Sequence, residues 1–209
     1  MAGKITALKI QQRNKERVNV YLDDEYAFAV TTLVAAAFKK GQYLTDDEIG
    51  QLKSQDEQNK AYQQAIRFLG FRSRSQQEMM SYLGQKGYPS EVVAATVDRL
   101  VNEQYLDDEN FARLGLENRE RFRPRGQRAL RYELKQKGIS NEVIEAVLID
   151  LDEEELAWTA VEPKLPQWRK LPGEDFKKKL LGFLSRRGFS YEVAHTVIDR
   201  AWAARVSVD

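Results

Sequence analysis

The sequence predicts a mainly α-helical protein: a tandem array of three three-helix units, preceded by a small N-terminal β-meander plus helix. Three observations predict it. Strand-type alternation of apolar and polar residues is confined to residues 5–30. Helical spacing of apolar residues, with recognisable caps, fills the chain beyond about residue 31. One sequence pattern then returns three times at an interval near 50 residues, the signature of an array whose members bury one another's apolar faces.

The meander comes first. "RVNVYL" sets Val18, Val20 and Leu22 against polar neighbours with period 2, the pattern of a half-buried strand. "KITALKIQ" before it and "EYAFAV" after it are less regular strands, and the polar segments 13–16 and 23–25 supply turns without the Asn-Gly pair of a tight hairpin. "TTLVAAAFKKG" reads as a short helix closed by Gly41. Thr45 and Glu48 in "TDDE" form a capping box. The helix it opens carries Ile49, Leu52, Tyr62, Ala65, Ile66 and Leu69, but its middle, "KSQDEQNK", is polar enough to break it or leave it crossing solvent.

The repeat occupies the rest. "LGQKGYPSEVV" begins at Leu83, "LKQKGISNEVI" at Leu134 and "LSRRGFSYEVA" at Leu184, spaced by 51 and 50 residues. Met79, Leu130 and Leu180 align, as do Val97, Leu148 and Ile198. In each copy a helix ends in Leu, three residues and Gly, the glycine supplying a left-handed residue past the helix end. Ser140 and Ser190 stand at the N-cap of the next helix, while Pro89 takes that place in the first copy. Further amphipathic segments precede each pair, at about 58–70, 108–122 and 153–165. Pro163, Pro166 and Pro172 shorten the last of these and lengthen the loop after it. The expected division is 1–50 for the β-module, then 51–106, 107–152 and 153–209 for the three units.

Composition narrows function. Hydrophobic residues make up 42% of 209, enough for a core, and the net charge of +1 argues against a protein that simply coats DNA. Without cysteine there is no disulfide framework, zinc knuckle or iron–sulfur cluster. No stretch reaches the roughly 18–20 apolar residues of a membrane span, and "MAGKITALKI" has no signal-peptide core, so a cytoplasmic protein is expected. Asp107 and Asp108, in "YLDDENFA", stand where a helix begins and are expected to cap it rather than bind metal. His195 is the only histidine, mid-helix with no nucleophile placed beside it, and no phosphate-cradling glycine loop occurs. No enzyme, catalytic residue, metal or cofactor is expected.

Charge is nevertheless segregated. Residues 113–137 hold nine Lys/Arg against three Asp/Glu, whereas 103–112 hold four acids and 150–155 five. Arg113, Arg119 and Arg128 suit solvated helix faces near Glu117 and Glu120. The loop arginines differ: the offset of 51 carries Arg72 and Arg74 in "FRSRS" onto Arg123 and Arg125 in "FRPRG". Stacked repeats would line up these turns as a stripe. The third unit has Gly173 and Asp175 there, with Arg169, Lys170 and the run Lys177, Lys178 and Lys179 nearby. Lys86, Lys137 and Arg187 directly precede the repeat glycines, where a cation also complements the negative helix end. Such a surface suits a polyanion or a partner of alternating charge. The aromatics Phe68, Phe71, Tyr82, Tyr88, Phe111, Phe122, Phe183 and Phe189 fall mostly at core spacing and read as packing.

These motifs resemble the RecX family, regulators of the RecA recombinase. The resemblance rests on residues 65–112, "AIRFLGFRSRSQQEMMSYLGQKGYPSEVVAATVDRLVNEQYLDDENFA", with "LKQKGIS" and the terminal "LSRRGFSYEVAHTVID", and covers about residues 58–204. It implies an elongated array and a non-enzymatic role in homologous recombination, DNA repair and the SOS response. The partners implied are the RecA filament and single-stranded DNA, within the filament or weakly alone, engaged by a monomer that lowers ATP hydrolysis and strand exchange. On this reading Arg72, Arg74, Arg123, Arg125, Lys86, Lys137, Arg187, Lys177 and Lys178 form the contact surface. Charge reversal at Arg74 and Arg125 is expected to weaken inhibition without lowering the melting temperature. The alternative is a direct DNA-binding module of helix-turn-helix type.

Overall fold

The structure is a computed structural model and describes residues 2–206. Two compact units divide the chain: Met1–Arg72 with Met80–Glu103, and Ser73–Met79 with Gln104–Asp209.

In the first unit, β1 (Gly3–Ile10), β2 (Arg17–Leu22) and β3 (Glu25–Thr31) form the antiparallel meander. Val18, Val20 and Leu22 of β2 all point inward and join Ile5, Phe28, Val30, Leu44 and Ile49 in one core. The β2–β3 turn does without Asn-Gly. Asp23 and Asp24 both take positive φ (47° and 73°), which aspartate tolerates because its short carboxylate bonds locally. Here the Asp23 carboxylate accepts from the Lys4 N–H at 3.2 Å. The helix expected over 31–41 is confined to one turn, α1 (Thr32–Ala35). After it, Gly41 turns the chain at φ 93° into β4 (Tyr43–Leu44), a fourth strand that pairs with the outer edge of β1. Two residues are too few to show a period, so the sequence carries no sign of it.

Helix α2 (Asp46–Leu69) opens on the expected capping box, Thr45 accepting from the Glu48 N–H and Glu48 from the Thr45 N–H. It does not break at its polar middle, where Lys53, Ser54, Gln55, Gln58 and Lys60 are exposed and Asp56 alone is buried. Asp56 is buried there at 8% exposure, accepting from both terminal guanidinium nitrogens of Arg17 on β2 (2.7 and 2.8 Å) and paired with Lys60 one turn on (2.8 Å). Asp56 can be buried against the sheet because its charge is neutralised. Helix α4 (Ser90–Asn102) packs on α2 and buries Val92, Val93, Val97 and Leu100.

The second unit holds α5 (Asp108–Phe122), α6 (Gln127–Gln136) and α7 (Asn141–Leu148), then α8 (Glu153–Val161), α9 (Leu165–Trp168), α10 (Gly173–Arg186) and α11 (Tyr191–Val206). A 3₁₀ turn with Pro163 in its first positions ends α8, Pro166 opens α9, and Pro172 precedes α10, so the prolines act as start signals. One continuous core runs from Ala112 through Leu130, Leu148 and Trp168 to Ala201, so the second and third repeats bury each other.

Helix α3 (Gln76–Gln85) belongs to the first repeat. The repeat turns that end α3, α6 and α10 have one geometry. Gly87, Gly138 and Gly188 sit at φ 87°, 76° and 86°. The N–H after each glycine reaches back to the repeat leucine carbonyl: Tyr88 to Leu83 (3.4 Å), Ile139 to Leu134 (3.1 Å), Phe189 to Leu184 (3.2 Å). This is the double closure of the Schellman motif. Ser140 and Ser190 then cap the next helices, accepting from Val143 and Val193 N–H groups, whereas Pro89 offers no side-chain bond.

Candidate functional site

Two of these turns are docked onto the start of an earlier helix, and the docking builds the site. The Lys137 carbonyl accepts from Ser75 Oγ (2.6 Å) ahead of α3, and the Arg187 carbonyl accepts from the Gly126 N–H (3.0 Å) ahead of α6. A Cβ on Gly188 would stand 2.4 Å from Ala129 Cβ, and one on Gly138 would stand 2.3 Å from Gln77 Cβ. Gly126 is equally confined, its Cβ falling 2.4 Å from the Gly188 backbone. A carboxylate closes each junction: Asp108 accepts from the Gln76 N–H (2.9 Å) and Glu153 from the Gln127 N–H (2.8 Å).

The aspartate pair is thereby explained. Asp107 caps its own helix, accepting from Asn110 (2.9 Å), while Asp108 caps the helix of the preceding repeat. Burial and the neighbouring Asp107 charge push the Asp108 carboxyl above its usual range, against the lowering effect of the Gln76 N–H. Asp152 and Glu153 repeat the division of labour, Asp152 accepting from Glu155 (3.0 Å). Among the described residues no cluster of three or more His, Asp or Glu could hold a metal. His195 lies exposed on α11, its ring 4.3 Å from that of Tyr191.

At the second junction three of the candidate cations meet. Arg187 Nη1 donates to the Pro124 carbonyl (3.0 Å) and its guanidinium lies 4.5 Å over the Phe183 ring. Burial, with the charges of Arg125 and Arg123, holds Arg187 below its ordinary value. Arg125 is bonded to Glu133, which also takes Arg119 at 2.8 Å. Arg123 is exposed, and among the described residues neither it nor Arg187 meets a carboxylate. Reversing Arg125 would set two carboxylates face to face, so that change costs stability, contrary to the expectation of an unaltered melting temperature.

The other candidates lie apart from this cluster in the chain. Arg72 is exposed and Arg74 half-buried in the turn between α2 and α3. Lys86 lies with its Nζ 5.5 Å over the ring of its own Tyr82. Lys137 Nζ bonds Glu78 at 2.6 Å. Lys177 and Lys178 are exposed on α10, Lys177 over the Trp202 ring at 5.5 Å. The helix-face arginines take partners other than those expected: Arg113 pairs with Glu109 and Arg119 with Glu133.

Two of the eight aromatics stand outside the packing expected of most of them. Phe71 is 84% exposed and Phe122 is 70% exposed. Each immediately precedes the paired arginines, so the recurrent unit is Phe-Arg-x-Arg and not Arg-x-Arg alone. The signal is visible in the repeat offset, but apolar spacing along the helix masks it. Phe189 is buried, and Phe68 stacks on Tyr82 at 3.8 Å, as packing requires.

Comparison with known proteins matches four parts of the chain. Residues 3–45 match the regulatory protein RecX N-terminal domain, and residues 61–100, 107–148 and 152–198 match the first, second and third RecX three-helix domains. The chain is 34% identical over 203 residues to regulatory protein RecX of Lactobacillus johnsonii, covering 94% of this chain and 74% of that one. Against regulatory protein RecX of Bacillus subtilis the identity is 33%, covering 94% and 76%. For Clostridium botulinum strain Alaska E43 it is 31%, covering 95% and 96%. A crystal structure of regulatory protein RecX superposes with a TM-score of 0.76 at 27% identity, covering 94% of this chain and 99% of that one. RecX from Lactobacillus salivarius shares the fold, with a TM-score of 0.65 at 21% identity over 70% of this chain and 97% of the other. The β-module, outside the motifs that carry the resemblance, thus has a family counterpart of its own.

Proposed function

This chain belongs to the RecX family, and from that membership we propose that it is a non-enzymatic cytoplasmic regulator that binds the RecA–DNA filament and lowers its ATP hydrolysis and strand exchange. The observation that carries the reading is the cation cluster of Arg123, Arg125 and Arg187, assembled by backbone docking of one repeat turn on another, in which Arg125 pairs with Glu133 while Arg123 and Arg187 meet no carboxylate among the described residues. Like charges brought together by the fold attract an anionic partner, and a nucleoprotein filament offers both acidic protein and phosphate. Arg72, Arg74, Lys86, Lys137, Lys177 and Lys178 contribute further contacts from other turns and from α10. Several weak contacts along one filament raise affinity through effective concentration.

The test is single-stranded-DNA-dependent ATP hydrolysis by RecA from the same source, titrated with this protein. The expected result is a fall in rate well below one molecule per RecA. An unchanged rate on fully coated DNA overturns the reading.

A further inference from the structure

The Phe122–Arg123–Pro124–Arg125 turn, joined by Arg187, has properties that a merely acidic protein partner does not require. Phe122 is the last residue of α5 and leaves its ring 70% exposed, with the Arg121 guanidinium 5.9 Å from the ring centre. Exposing a phenylalanine in isolation is commonplace. Here, however, the ring is followed at once by Arg123, also exposed, and the same Phe-Arg-x-Arg order recurs one repeat earlier, where Phe71 is 84% exposed. The turn is also held rigidly. Pro124 is buried with its carbonyl bonded to Arg187, and Gly126 is packed so tightly against Gly188 that no side chain fits. Arg187 spends one N–H on that carbonyl and keeps further donors for an anion.

We infer that this turn grips single-stranded nucleic acid: Phe122 stacks on one unpaired base while Arg123 and Arg187, neither of which meets a carboxylate among the described residues, hold the flanking phosphates. The pairing of one aromatic face with neighbouring cations matches a polymer in which every unit carries a flat base and one negative charge. A duplex keeps its bases stacked inside, so Phe122 has no face to meet there. The inference deepens the filament reading and rests on it for its setting, assigning this cluster to the nucleic acid and not to the recombinase surface.

The test is fluorescence anisotropy of the full chain with a labelled oligothymidylate of about 20 nucleotides, spanning several OB-fold-sized sites, without recombinase and over a salt series. Wild-type protein is expected to prefer the single strand to a duplex and to an abasic strand of equal length. Phe122→Ala is expected to weaken binding to the oligothymidylate by about 5- to 100-fold with little change in salt dependence, and Phe122→Trp to restore it. Arg123→Gln is expected to lower the slope of log affinity against log salt by about 0.7. Equal affinity for abasic and base-bearing strands, no effect of Phe122→Ala, or no oligonucleotide binding at all overturns the inference and returns the turn to a protein partner. Failure here with ATPase inhibition intact sinks this assignment alone. Oligonucleotide binding with no inhibition sinks the filament reading alone.

Discussion

The turn at Gly87 and the turn at Gly188 are built from the same motif and do different jobs. Both place glycine at a φ near 86° and close the helix by the same pair of backbone bonds. Around Gly87 there is open space where a Cβ would go, whereas the Cβ of a residue at 188 would strike the Ala129 backbone at 2.6 Å. The first turn ends a helix. The second ends a helix and also seats one repeat on another, bringing Arg187 to Pro124 and into the company of Arg123 and Arg125. The cation before each glycine differs in the same way: Lys86 leans on its own helix, while Arg187 reaches into the preceding repeat. Repetition supplies the closure motif, and docking decides which copies become a site.

Three substitutions separate these contributions. Gly188→Ala suffers both the left-handed backbone and the collision, and is expected to lose about 3 kcal/mol or more of unfolding free energy. Gly126, at φ −70°, has an ordinary backbone and the collision alone, so Gly126→Ala is expected to lose about 2 kcal/mol. Gly87→Ala meets only the backbone penalty, about 1 kcal/mol. Denaturant titration of the three gives the order directly. Equal losses at 87 and 188 would mean that the docked turn adds nothing.

The two units also differ in how they bury acid. Burial pushes the Asp56 carboxyl up, but the hydrogen bonds from Arg17 and Lys60 outweigh it, and its pKa lies below the ordinary 3.8. Its contribution to stability is therefore complete above that value and lost as pH falls through the lowered one. Asp108 lies above 3.8, so its contribution is largest at low pH and is lost as pH rises from 3.8 through the raised value. Asp56→Ala is expected to cost about 2 kcal/mol at neutral pH by leaving the Arg17 guanidinium without its carboxylate and with only the Ala29 carbonyl. Asp108→Ala is expected to cost about 1 kcal/mol, since the Gln76 N–H loses its acceptor. Asp108→Asn keeps an acceptor and is expected to stay within about 0.5 kcal/mol of wild type. Unfolding free energies measured from about pH 3 to pH 6 should show contributions of opposite slope, removed by Asp56→Asn and by Asp108→Asn respectively. Slopes of the same sign would refute the assignment.

Most of the helical array is legible in the sequence because its signals are local and repeated. Leu83, Leu134 and Leu184 are buried and their glycines turn as the spacing requires. The features that are not legible depend on partners distant in sequence. The α2 helix survives its polar middle because Arg17, 39 residues away, meets Asp56. The strand β4 exists because β1 offers it an edge. Asp108 reads in the sequence as a cap of its own helix, yet it caps one 32 residues upstream. At the candidate site the offset locates Arg123 and Arg125. The company of Arg187 and the exposure of Phe122 need the docked turn, since spacing along a helix says nothing of where that helix ends.

Arg123 offers the most direct test of the functional account, because it is exposed and meets no carboxylate among the described residues. The measurement is RecA ATP hydrolysis titrated with wild-type protein and with Arg123→Glu, alongside thermal unfolding of both. The account predicts that the variant melts like wild type, and that several-fold more of it is needed for the same inhibition. Equal inhibition by the two proteins, at equal stability, would contradict the placement of the binding surface at this turn.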